Sequence, residues 1–394
     1  MKDVIDLHPL TAGPTGRSPC LALGSSLQGR LFALTCPSPT LPALWSLPSI
    51  SPRYLRGHED TVTSAVFSDT ELSLVTCSST TVILWDLAVL KDKEDGEREA
   101  GITVAKDMGH ISECALTLKK GDKRGLLGLG SGNSISIICL AYNMKSGIRM
   151  SLKEVHMIGT VETSSDISRF IILPTIGLLC AVGQDRALKI WSMVKSDFGK
   201  PVESLKAGRQ PLTCLAYKDD ILSLGDCGGL IYFYFFTKKR RKFITKVELR
   251  RGREEEENIG CDVLDIELLP LQRVEHQSEG LPSLLSKGEV VDEILNTKQN
   301  VVFVTNLGVG ILNLRSGEML QTLEFSRILH SSTFNSMAVQ ARIKQNKDTL
   351  TVLFLSNLDN QIKMASIKIL DDDNRRRVKA EKGNILIVFF PVHI

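Results

Sequence analysis

Two alternating apolar runs lie between Gly57-His58 and Trp85-Asp86, each broken by turn residues. They predict an all-β chain of repeated four-stranded antiparallel sheets. Six weaker copies of the same unit elsewhere in the chain extend this to a β-propeller, most simply one of seven blades, several of them degenerate. A hydrophobic fraction of 43% with 30 glycines and 14 prolines agrees with short strands and many turns around a folded core.

The clearest unit reads RYLRGHEDTVTSAVFSDTELSLVTCSSTTVILWDL, with 26 residues between His58 and Trp85. A well-formed unit closes on a turn with an acid six residues before the Trp and a Ser eight before it. Asp185 stands six before Trp191, with Gly183 in the Ser place. Trp85 has Ser79 where the acid belongs. Ser131, Asn133 and Cys139 fill the three places in a third unit, which follows a second Gly-His pair, Gly109-His110. Weaker ends fall at Trp45, Tyr234, Leu312-Asn313 and, six after Asp359, Ala365. The seven ends are 40, 54, 52, 43, 78 and 53 residues apart. Blade periods of about 40–45 residues leave the longer intervals to insertions.

The predicted layout is an N-terminal extension over 1–14, a propeller over 15–370 and a charged tail over 371–394. Charged insertions are expected near 89–104 and 250–300. The tail ends in NILIVFFPVHI, and its ILIVFF run is one candidate for a strand that closes the ring, since closure removes exposed sheet edges.

RGHEDTVTSAVF, VILWDL, GQDRALKIW and LNLRSGE together resemble the WD-repeat β-propeller family. The resemblance spans roughly 15–370 and is strongest over 53–88 and 180–193. It implies a hydrogen-bonded chain of Trp, Ser or Thr, His and Asp inside each blade, because buried indole and imidazole groups need partners. Here that chain is expected to be divided. His58 and Trp85 share one blade, His110, Ser131 and Asn133 the next, and Asp185 and Trp191 a third. The resemblance further implies a non-catalytic scaffold, and a longer relative with more blades, of which this chain would be a truncated form ending in a non-homologous tail.

The sharpest charge cluster is Lys238, Lys239, Arg240, Arg241 and Lys242. It reads as a solvated hairpin balanced by Glu254–Glu257, or as a nuclear-localisation or phosphate-binding patch. The preceding run Tyr232–Phe236 should place about half its rings in the core, by strand alternation. Gly128, Gly130 and Gly132 lack the Lys-Ser/Thr of a phosphate loop and read as turn glycines. Nine single cysteines and seven histidines show neither metal-ligand nor catalytic spacing, so no metal, cofactor or enzyme activity is expected. The scattered cysteines fit a reducing compartment. The N-terminus has no apolar core of a secretory signal, and no apolar run is long enough for a membrane helix. A net charge of +3 argues against a whole-surface nucleic-acid footprint.

The functional expectation is a cytoplasmic, and also nuclear, scaffold that offers propeller loop faces to other proteins, without membrane or small-molecule substrate. The alternative is a nuclear module that docks nucleic acid or ribonucleoprotein through the basic hairpin.

Overall fold

In a computed structural model, the described residues are 5–9, 22–25, 31–38, 40–47, 53–68, 73–87, 101–118, 122–145, 148–249, 262–269, 300–314, 319–324, 338–346, 349–356, 361–368 and 387–388. They form seven antiparallel sheets of consecutive strands, spanning 22–54, 62–106, 113–162, 167–206, 212–248 and 263–324, with a seventh over 338–368 completed by Ile5–Pro9. The first strand of each sheet packs beside the first strand of the next, and that of the seventh beside Ala22–Ser25 of the first. The sheets therefore close a ring, with first strands around the centre and fourth strands at the rim.

All seven marker positions (45, 85, 139, 191, 234, 312 and 365) fall in the third strand of a sheet. That strand has sheets on both flanks, so both its faces are covered. Tyr232, Tyr234 and Phe236 pack with Leu188, Ile190 and Leu222 toward the fourth sheet. Ile231 and Phe233 pack with Val263, Phe303 and Leu312 toward the sixth. All five aromatics of Tyr232–Phe236 are consequently buried, where alternation alone assigns about half to the core. The core lies between neighbouring sheets throughout. Phe32 of the first sheet stacks on Phe67 of the second at 6.4 Å between ring centroids.

Five of the seven first strands carry a register shift near their start, skipping Thr63, Ser168, Thr213, Leu264 and Val339. Such bulges turn a side chain away from the ladder and increase local twist. Thr63 uses its position to donate to Ile111 O of the next sheet over 2.5 Å, and Thr213 does the same to Val263 O.

Several boundaries differ from the sequence reading. Within the segment 89–104, residues 101–104 belong to the rim strand Gly101–Lys106, paired with Thr81–Asp86. Within 250–300 lies the inner strand Val263–Leu268. The extension over 1–14 contains Ile5–Pro9, which pairs antiparallel with Gln361–Lys368 and supplies the fourth strand of the seventh sheet. From the tail, Ile387–Val388 makes a two-residue pairing with the same strand at Ser366–Ile367. The run Glu254–Glu257 lies outside the described residues.

Gly132 has φ +55° and serves the turn as expected, whereas Gly128 and Gly130 lie within the strand Arg124–Ser131. A Cβ on Gly128 would stand 2.5 Å from Cε2 of Phe170, so that glycine admits the ring of the neighbouring sheet. Seven cysteines are described, all as free thiols, six of them buried and Cys227 half-buried.

Candidate functional site

The second sheet holds the most complete polar network. Trp85, 1% exposed, donates Nε1–H to Thr76 Oγ1 over 2.8 Å. The same hydroxyl stands 2.7 Å from His58 Nε2, and Thr81 Oγ1 stands 2.9 Å from His58 Nδ1. Ser79, in the acid's place, instead donates to the Asp60 carboxylate. Thr81, whose Oγ1 is also 3.1 Å from Ser78 Oγ, thus takes over the partner role at the imidazole. Burial lowers the His58 pKa to about 4 and keeps the ring neutral. One neutral nitrogen accepts and the other donates, and two threonine hydroxyls can satisfy both. Trp45 repeats half of this arrangement, donating to Thr35 Oγ1 over 3.1 Å.

The other units are not assembled in this way. His110 is exposed, and Ile111 takes the buried place beside it. Ser131 is half-buried and Asn133 exposed. Their backbone carbonyls accept from Ser134 Oγ and Thr163 N, so they form a turn rather than a side-chain chain. In the fourth sheet Asp185 and Trp191 are separate. Trp191 packs with Phe170 and Leu179, while Asp185 pairs with Lys189 and accepts from Ser164 over 3.1 Å. Burial would raise the Asp185 pKa, but Lys189 and the surrounding donors outweigh it and lower the pKa. Ala181, opposite Lys189, holds the place that Thr76 holds opposite Ile83, so this Trp lacks the hydroxyl partner.

A different polar centre sits among the inner strands, built from residues that belong to no motif in the sequence. Arg169 of the fourth sheet bonds Glu113 of the third at 2.6 Å and approaches Asp265 of the sixth at 3.7 Å. Asp265 also accepts from Ile343 N of the seventh over 3.0 Å. Four sheets, two of them not adjacent, are thereby tied across the middle of the ring. Burial opposes the charge on Arg169, but Glu113 and Asp265 outweigh it and hold the guanidinium charged. A cavity of about 200 Å3 beside it is lined by Thr63, Ser64, Ser112, Thr213 and Arg342.

The basic cluster forms the hairpin between Leu230–Phe236 and Arg241–Glu248, closed by Thr237 N donating to Arg240 O over 2.9 Å. Lys238, Lys239, Arg240 and Lys242 are exposed. Arg241 turns inward, 5.5 Å above the Phe236 ring, and pairs with Glu203 of the fourth sheet at 2.8 Å. It acts as a brace between rim strands.

Residues 50–86 match the family model described as WD domain, G-beta repeat. The chain is a β-propeller, and this segment of it is similar to a WD repeat. The matched segment covers the rim strand Arg53–Tyr54 of the first sheet and the three inner strands of the second. One WD repeat therefore links two sheets, and its Gly57-His58 lies at the crossing. No curated protein matches the chain.

Proposed function

We propose that this WD-repeat propeller is a non-catalytic scaffold that presents its loop faces to protein partners. The observation that carries this reading is the use made of the side chains with chemical potential. His58, Asp185 and Arg241 are each engaged in bonds that fix the ring. A rigid ring frees its connecting loops for recognition. The partner site by this reading is the face or channel rim built from those loops. The test is affinity purification of the tagged chain with cross-links mapped to residues. Cross-links confined to loops support the reading, and turnover of a recovered small molecule would oppose it.

A second reading is favoured by the four exposed cations of the Thr237–Arg240 hairpin and its flank. It is nuclear import or docking to nucleic acid through that hairpin, in a protein otherwise cytoplasmic. A fluorescent fusion with Lys238, Lys239, Arg240 and Lys242 neutralised should lose its nuclear fraction, and unchanged distribution opposes this reading. Phosphate binding should also weaken steeply with salt.

The order of elements, an early Arg56-Gly57-His58 blade and a later blade running into a basic strand, is similar to the N-terminal half of WD repeat-containing protein 27. On that reading the chain is a truncated form or isoform of a longer protein, which the intact mass of the protein isolated from its source tests.

A further inference from the structure

A groove of about 1510 Å3 opens between the third and fourth sheets, on the side where first strands turn into second strands. Its apolar lining includes Met157, Ile158, Ile172, Pro174, Met193 and Phe198. Met157 and Ile158 are 49% and 39% exposed at its rim end. Phe198 is held as a wall, because Gly159 of the third sheet leaves it room: a Cβ there would lie 2.5 Å from the ring.

The charges of the groove are unbalanced. Arg124, Lys195 and Lys218 line it, and none of them makes an ion pair among the described residues. Of the carboxylates around it, Glu113 is engaged by Arg169 at 2.6 Å and Asp197, two residues after Lys195, by Lys200 at 2.5 Å, while Glu267 and Asp219 act on Lys218 from nearby. Asp122 is the remaining carboxylate in the lining. Lys218, half-buried at the inner end, has its pKa lowered by burial, which Glu267 and Asp219 offset only in part, so an added carboxylate would favour its charged form.

We infer that this groove docks an extended segment of a protein partner in which aliphatic side chains alternate with carboxylates. The aliphatic groups lie along Met157, Ile158, Pro174 and Phe198, and the carboxylates meet Arg124, Lys195 and Lys218. The volume exceeds that of ordinary small-molecule pockets and suits a stretch of chain. Aliphatic groups at Met157, Ile158, Ile172, Pro174 and Met193 stand beside the rings of Phe170, Phe198 and Tyr217, so the lining suits aliphatic side chains as well as flat ones. The proposal rests on the scaffold reading but assigns a face other than the one bearing the Gly57-His58 crossing.

The test uses a displayed library of short random peptides, panned on the full chain and counter-selected on an Arg124→Glu/Lys195→Glu variant. Both side chains are exposed, and circular dichroism verifies that the variant folds. Enriched peptides should carry Asp or Glu beside Leu, Ile, Val or Met and bind the variant about tenfold or more weakly. A Lys238→Glu/Lys239→Glu control, on the rim hairpin of the fifth sheet and outside the groove lining, should bind them unchanged. Basic peptides, equal binding to the groove variant, or no enrichment would overturn the proposal. So would displacement of the peptides by a thymidine oligonucleotide, which would assign the cations to phosphate. If cross-linked partners map to loops elsewhere, the scaffold reading survives such a result.

Discussion

The indole N–H of Trp85 donates to the hydroxyl of Thr76 over 2.8 Å, and that hydroxyl is also the partner of His58. One threonine therefore satisfies two buried aromatic polar groups. Thr76→Val keeps the shape and removes the hydroxyl, and should cost about 1–3 kcal/mol through the unpaired groups left behind. Trp85→Ala should cost about 3–5 kcal/mol as a large buried truncation. In urea unfolding the two losses should fall short of additive in the double variant, because they share one bond. Strict additivity would separate the residues.

His58 makes stability depend on pH. Its pKa is near 4 folded against 6.5 for an ordinary histidine, so between those values the unfolded chain binds the extra proton. Stability should be undiminished above about pH 6.5 and fall as pH drops toward 4, by up to about 3 kcal/mol, with no further loss from this group below that. Comparison with His58→Gln isolates the effect. The stability of the original protein relative to the variant should fall by up to about 3 kcal/mol between pH 6.5 and 4, and a pH-independent difference would contradict it.

Arg186 occupies the left-handed region at φ 63° in the turn before Trp191's strand, with its side chain exposed. Arg186→Gly removes the strain of a side chain there and adds unfolded-state freedom. The net expectation is a gain of about 0.5–1 kcal/mol, read as a raised melting temperature.

Arg169 ties Glu113 to Asp265 across the ring. Arg169→Met leaves two carboxylates facing one another and should cost about 3 kcal/mol or more. Adding Glu113→Gln and Asp265→Asn to that variant should recover part of the loss. No recovery would show that packing, not charge, is what Arg169 supplies.

The repeating part of the fold was legible because one sheet's third strand must be apolar on both faces and end near a tight turn. That pattern located positions such as Leu312 and Ala365, where no Trp remains. The polar network was legible only where its members are aromatic or histidine. Thr81 replaces the missing acid by standing across the turn, and a threonine in a strand carries no signal of that role. Arg169, Glu113 and Asp265 are far apart in sequence and meet only when the ring closes. Hydrophobicity points to ILIVFF as a closing strand. Ile5–Pro9 is short and mixed, and its place depends on the free edge of Gln361–Lys368.

That closure holds the ring together, since a ring of sheets needs its last sheet completed from the other end of the chain. Hydrogen exchange followed by mass spectrometry reads it directly on peptides covering residues 5–8 and 361–368. Exchange should be slow in both, and should quicken over 361–368 when residues 1–9 are deleted. Free exchange over 5–8 beside a protected 361–368 would contradict it.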